Sequence, residues 1–95
     1  MKPNTKVFAV YDSKAEAFMQ PFFAETVGLA LRYFQQNTEN HESVLYKYPN
    51  DFVLFQIAAW DEHTGDIHNL EQNINLGMAI EFHPSGKLEA VQDDE

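Results

Sequence analysis

The chain has 95 residues, 44% of them hydrophobic and 14% aromatic, which is enough apolar surface for one folded domain and excludes a disordered chain. It contains no cysteine, so a disulfide scaffold, a cysteine-ligated zinc site and a cysteine nucleophile are excluded. Its net charge of −9 favours cationic partners over nucleic acid or anionic membranes. No apolar run approaches the roughly 20 residues of a membrane span, and we expect neither a signal peptide nor a membrane partner.

The first part of the sequence predicts a hairpin followed by a helix. Lys6–Asp12 is a run of β-branched and aromatic residues that predicts a strand, and Ala17–Gln20 predicts a short second strand. Pro21 has no backbone N–H, so the second strand is expected at a sheet edge or to end there. Thr26 is the predicted N-cap of a helix that fades in the polar run 35–40. The apolar residues at helical spacing, which predict its buried face, are Val27, Ala30, Leu31 and Phe34.

The second part predicts two further strands joined by a turn. Asp51–Trp60 is almost continuously apolar, which is typical of a central strand covered on both faces. Strict alternation places Val53, Phe55, Ile57 and Ala59 on one face and Phe52, Leu54, Ala58 and Trp60 on the other. Asp61–Asp66 predicts a hairpin turn with Gly65 at positive φ, and Ile67–Leu70 continues the hairpin. Ile74–Phe82 alternates cleanly and predicts a half-buried strand.

Together these elements predict an α+β fold. We expect a small antiparallel sheet of about four strands, with one helix packed on one face and the order ββαββ. Residues 1–82 form the predicted domain, and residues 83–95 are an acidic, flexible C-terminal tail. The two-sided apolar strands leave more hydrophobic face than one helix covers. We therefore expect a homo-oligomer, either a symmetric dimer or a larger ring.

The sequence carries no motif of catalytic chemistry. It has no Gly-x-Ser-x-Gly elbow, no P-loop and no Gly-rich dinucleotide turn. Side chains of the types that bind divalent metals lie together at Asp61, Glu62, His63, Asp66 and His68. Their spacing is not that of a tight site such as His-x-x-x-His, which favours a solvated polar turn. We expect no metal, no cofactor and no enzymatic activity, and a metal-dependent enzyme is the last of three hypotheses.

Tyrosines that lie near basic residues give the strongest functional signal. Aromatic rings beside cations hold single-stranded nucleic acid, with stacking worth about 1–3 kcal/mol per base. The candidate nucleic-acid-binding residues are Tyr11, Lys14, Arg32, Tyr33, Tyr46, Lys47 and Tyr48. The alternative is that the rings, above all the phenylalanines, belong to the core or to an oligomer interface. Because the chain has six basic residues, contacts to phosphate must be few, and binding should depend weakly on salt or require oligomerisation.

Several short segments carry a further pattern over residues 6–82. They are Tyr11–Ala17, Gln20–Phe23, Ala30–Phe34, Tyr48–Phe55, Trp60-Asp61 with Thr64-Gly65, and Leu76–Phe82. In order and spacing they resemble the small nonstructural protein of gokushoviruses, tailless microviruses that infect bacteria and carry single-stranded DNA. The resemblance implies a protein of the infected bacterial cytoplasm, absent from the mature virion, that acts in the production of viral single-stranded DNA. It brings no catalytic residue.

Two non-enzymatic hypotheses follow. The first is a phage accessory protein that acts in single-stranded DNA synthesis or packaging and binds the strand by aromatic stacking. The second is an acidic interaction protein that engages a basic viral or host protein, for example by mimicking the charge of DNA. Its contact surface would be Asp61, Glu62, Asp66 and Glu71 together with the acidic tail.

Overall fold

The computed structural model of the protein describes residues 5–84. Across these residues five strands form one antiparallel sheet, and a long helix packs on one of its faces. The elements are β1 (Thr5–Asp12), β2 (Ala17–Phe18), β3 (Phe22–Ala24), α1 (Val27–Glu39), α2 (Val44–Lys47), a 3-10 turn (Pro49–Asp51), β4 (Phe52–Asp61), β5 (Asp66–Met78) and α3 (Ala79–Phe82). The predicted α+β class is confirmed. Most of the predicted acidic tail, residues 85–95, lies outside the described residues.

Two short strands share the outer edge of β1, and β4 and β5 follow on its other side. β2 pairs with Tyr11 and Asp12, whereas β3 pairs with the stretch that begins at Lys6. Between them the Met19 N–H still donates to the Val10 carbonyl at 2.8 Å, but Pro21 has no N–H to donate. The predicted second strand is therefore an edge strand that is interrupted by its proline.

The helix α1 begins and ends where the sequence predicts. The hydroxyl of Thr26 accepts a hydrogen bond from the Leu29 N–H at 3.1 Å, which confirms the N-cap. α1 ends at Glu39, within the polar run 35–40 in which the helix is expected to fade. Thr38 is fully buried and donates its hydroxyl to the Gln35 carbonyl at 2.7 Å, so its polar group is satisfied within the helix.

The core lies between α1 and one face of the sheet. Its fully or nearly buried members are Phe8, Val10, Ala30, Phe34, Leu45, Phe52, Leu54 and Ala79. The predicted buried face of α1 is confirmed, since Ala30 and Phe34 are in this cluster and Val27 and Leu31 pack against it. The short helix α3 adds Phe82, whose ring meets that of Phe34 edge-on at 5.8 Å.

A β-bulge in β4 changes which side chains share a face. Val7 pairs with Ala58 and Phe8 pairs with Gln56, so Ile57 is an extra residue opposite β1. After a bulge the alternation of side chains shifts by one residue. The expectation that Trp60 shares a face with Phe52 is therefore wrong. Trp60 lies on the opposite face, where its ring contacts Phe23.

The prediction of a strand over Ile74–Phe82 is only partly right. Residues 74–78 belong to β5, whereas residues 79–82 form α3. β5 runs without a break from Asp66 to Met78, and the chain then turns into α3. Gly77 has φ +133°, and a Cβ there would lie 3.3 Å from the Phe82 ring. The Met78 N–H donates to the Glu81 carboxylate at 3.3 Å, which caps the new helix. The turn at Gly77 thus folds α3 back over the core.

Candidate nucleic-acid interface

The structure brings Lys14 and Tyr48 together in one groove, although they are far apart in sequence. This Tyr48 groove has a volume of about 330 Å³ and is lined by Asp12, Lys14, Val44, Tyr48, Asp51 and Phe52. The Tyr48 side chain is 60% exposed, the largest exposed fraction among the large hydrophobic residues of the described chain. Lys47 is the last residue of α2, directly before Tyr48, and is also exposed. An exposed ring thus shares a groove with Lys14, and Lys47 directly precedes it in the chain.

Backbone hydrogen bonds fix the two sides of this groove against each other. The Ser13 N–H in the turn after β1 donates to the Asp51 carbonyl at 2.9 Å, and the Asp51 N–H donates to the Tyr48 carbonyl at 3.0 Å. The turn itself is held by the Asp12 carboxylate, which accepts from the backbone N–H of Lys14 at 3.0 Å. These bonds connect two loops that carry no regular pairing of their own.

Tyr33 lies in a second groove of about 350 Å³ that adjoins the first. The two grooves lie along the same two elements, β1 and α2. Val10 and Leu45 line the Tyr33 groove, and Asp12 and Val44 line the Tyr48 groove. Its lining residues are Val10, Met19, Gln20, Pro21, Phe22, Tyr33, Phe34, Asn37 and Leu45. The Tyr33 ring is 52% exposed and packs on Phe22 with centroids 4.9 Å apart.

Arg32 does not share the Tyr33 groove. It precedes Tyr33 on α1 and is exposed. Successive residues of an α-helix are about 100° apart around its axis, so the two side chains leave the helix in different directions. Arg32 is not among the residues that line either groove.

Tyr46 is enclosed by two histidines. Its ring stacks on His41 at 4.3 Å and on His83 at 4.6 Å, so imidazoles cover both of its faces. His83 is buried, and its Nε2–H donates to the Tyr46 carbonyl at 3.0 Å. The sequence gives no signal for this contact, because it joins α2 to the residue after α3. Tyr46 therefore has no free ring face for a base.

Tyr11 lies on the other face of the sheet. Its ring meets Phe18 edge-on at 5.0 Å, and Phe18 in turn meets Phe55 at 5.8 Å. Phe18 and Phe23 are 45% and 50% exposed, although the sequence interpretation assigned the phenylalanines to the core or an interface. The signal that could have located them is their position on either side of Pro21, in an edge strand with few neighbours.

The Tyr48 groove is not positively charged overall. Residues 5–84 contain eleven acidic and four basic side chains. Lys14 lines the groove together with Asp12 and Asp51, and Lys47 precedes Tyr48 in the chain. The lining therefore does not form a strongly positive surface.

The β4–β5 turn is organised by its own side chains. The Asp61 carboxylate accepts from the His63 N–H at 2.9 Å, and the Thr64 hydroxyl accepts from the Asp66 N–H at 3.2 Å. Gly65 has φ +82°, as the turn prediction requires. Within the described part of the chain, no three His, Asp or Glu side chains converge as a metal ion would need. No helix between residues 5 and 84 is long and apolar enough to span a membrane.

Comparison with known proteins places the chain in a family. The family model described as Phage ORF5 protein matches residues 5–82. The chain belongs to the Phage ORF5 protein family. The match extends from β1 to the end of α3, so the sheet, both grooves and the turn at Gly77 all fall within the family region of this phage protein. No curated protein and no solved structure matches the chain.

Proposed function

We propose that this member of the Phage ORF5 family is a non-enzymatic accessory protein that binds the single-stranded DNA of its phage during synthesis or packaging. Family membership supports a phage role, and the Tyr48 groove supports the ligand class. The resemblance to the gokushovirus nonstructural protein favours a microvirus. On this proposal the protein acts in the infected bacterial cytoplasm and is absent from the mature virion.

The observation that carries this proposal is the exposed Tyr48 ring in one groove with Lys14, with Lys47 directly before it in the chain. A base stacks on the free face of the ring, and the two ammonium groups contact the phosphates on either side. The Ser13–Asp51 hydrogen bond fixes the backbone of the loop that carries Lys14, so little loop ordering opposes binding. Tyr33 in the adjoining groove supplies a second stacking position.

The balance of charge sets the character of the binding. Lys14 shares the groove lining with Asp12 and Asp51, and the whole chain is acidic. Stacking therefore provides most of the affinity, and phosphate contacts provide little. For two phosphate contacts on a single strand, the logarithm of the binding constant should fall with the logarithm of salt concentration with a slope of about −1.4.

A double variant tests the groove. Lys47→Ala with Tyr48→Ala should weaken binding of a fluorescently labelled single-stranded oligonucleotide by about tenfold, the loss of roughly one stacked base. The matched control is Lys6→Ala with Leu29→Ala, which removes the same charge and an exposed apolar side chain elsewhere. Anisotropy titration of all three proteins measures the effect. Equal affinity of the double variant and the control would rule out this groove.

The acidic interaction protein is the second candidate, and the end of the β4–β5 hairpin favours it. Glu62 and Asp66 are exposed there, with Asp61 beside them and Glu71 further along β5. A basic viral or host protein would find these carboxylates accessible. Failure of the chain to bind any oligonucleotide, together with salt-sensitive binding of a basic protein that Glu62→Gln with Asp66→Asn abolishes, would favour this candidate.

A further inference from the structure

One face of the sheet is covered by no helix in the described residues. Alternate residues of β1, namely Val7, Ala9 and Tyr11, point to this side. Their cross-strand partners share that face and are Phe18, Phe23, Val53, Phe55 and Ala58. Trp60 joins them through its contact with Phe23. We call this surface the open face, since the helical core residues pack on the opposite side.

The open face is a continuous apolar layer. Val7, Ala9 and Ala58 are buried beneath larger neighbours, with exposed fractions of 3% or less. Above them the rings of Phe18 and Phe23 remain about half exposed. Contiguous exposed apolar surfaces of this kind mark interaction sites on proteins that are otherwise polar outside.

The paired residues of the open face are uncharged, although the chain carries a net charge of −9. The residues of β5 that pair with its β4 members are uncharged as well, and they are Ile67, Asn69, Asn75 and Met78. Glu71 belongs to the stretch 70–73 of β5, which has no registered partner on β4. A cationic protein or a phosphate backbone would find no ion among the paired residues. An identical face buries the apolar area of these residues without desolvating any charge on them.

We propose that the open face binds a second copy of this chain. The two sheets pack face to face around a two-fold axis, as in a β-sandwich, with the rings of Phe18 and Phe23 at the contact. The helices and both grooves then lie on the outside of the dimer. If the proposed function holds, one dimer presents two Tyr48 grooves to one strand, and the second contact becomes intramolecular.

The fluorescence of Trp60 reports this contact directly, because it is the only tryptophan in the chain and lies beside Phe23. We expect the emission of the full chain to shift to shorter wavelength with rising protein concentration, with weaker quenching by acrylamide. Light scattering over the same series should show the mass rise from 11.0 kDa to twice that value.

A charged residue in the layer should prevent the association. Phe18→Lys should remain monomeric, and its Trp60 emission should not change with concentration. The matched control is Leu29→Lys, because Leu29 on α1 is 44% exposed and Phe18 is 45% exposed, and this variant should dimerise like the natural chain. Circular dichroism establishes that both variants are folded. Phe23→Lys replaces Phe18→Lys if that variant does not fold.

Four results would overturn the proposal. The first is a monomeric mass at every concentration up to the hundreds of micromolar. The second is dimerisation of Phe18→Lys at the natural affinity, which would assign the contact to another surface such as the free edge of β5. The third is a blue-shifted Trp60 emission that is independent of concentration, which would mean that the chain covers the face itself. The fourth is a monomer whose emission shifts only when an oligonucleotide is added, which would make DNA the occupant. A dimer that does not bind DNA would leave this inference standing and remove the proposed function.

Discussion

The two faces of the sheet are both rich in apolar residues, but one face is buried and the other remains partly exposed. On the covered face Phe8 and Leu54 have no exposed surface, and Phe34 of α1 completes the packing. On the open face Phe18 of β2 and Phe23 of β3 remain about half exposed. In so short a chain one long helix covers one side of the sheet, and the other side remains for a partner. The comparison shows that aromatic content alone does not distinguish core from contact surface.

The largest expected effect on stability distinguishes the core ring of Phe34 from the open-face ring of Phe23. Phe34→Ala should lower the free energy of unfolding by about 3–5 kcal/mol, because it leaves a cavity in the core. Phe23→Ala removes the same ring from the open face and should change it by about 0.5 kcal/mol or less in the monomer. Chemical denaturation at concentrations where light scattering shows monomer measures both. Similar losses for the two variants would mean that the open face is part of the core.

A smaller effect tests the turn at Gly77, which places α3 on the covered face. Gly77→Ala should cost roughly 1–3 kcal/mol, because φ is +133° and the new Cβ meets the Phe82 ring at 3.3 Å. Gly28→Ala is the control, and it should raise the free energy of unfolding instead of lowering it. Its Cβ meets only the Thr26 hydroxyl at 3.9 Å, and a helical alanine should add about 0.5–1 kcal/mol to the free energy of unfolding. Thermal unfolding of both variants decides, and a stabilising Gly77→Ala would refute the turn geometry.

The smallest expected effect comes from removing the negative charge of residues 85–95, which should change DNA binding at the groove but not association through the open face. Residues 85–95 carry four acidic side chains and one lysine. A chain that ends at Pro84 should bind a single-stranded oligonucleotide a few-fold more tightly, because less negative charge repels the strand. Its dimerisation constant should not change, since the paired residues of the open face carry no charge. Anisotropy and light scattering test the two halves of this prediction, and a change in both would show that charge and apolar contact are coupled.

Local signals in the sequence predicted much of the fold. β1, the β4–β5 turn and the Thr26 cap each depend on a few neighbouring residues, and each is present. The bulge at Ile57 and the turn at Gly77 were missed because alternation continues through both. Neither the extra residue in β4 nor the backbone angle at Gly77 changes the alternation of apolar and polar residues in the sequence.

The candidate site was predictable only as a set of residue types. Lys47 and Tyr48 are neighbours in sequence, but the position of Lys14 beside them depends on the Ser13–Asp51 hydrogen bond between distant loops. The same long-range packing encloses Tyr46 between His41 and His83 and places Tyr11 on the open face. Single-sequence reasoning has no access to such contacts, so it could not separate the accessible rings from the enclosed ones.

The most direct test of the central claim is a titration of the natural chain with a labelled single-stranded oligonucleotide and with the duplex of the same sequence, at low and moderate salt. The account predicts binding of the single strand with a shallow salt slope of about −1.4, and much weaker binding of the duplex, whose bases are not free to stack on Tyr48. Absence of single-strand binding at low salt, or equal affinity for the duplex, would contradict it.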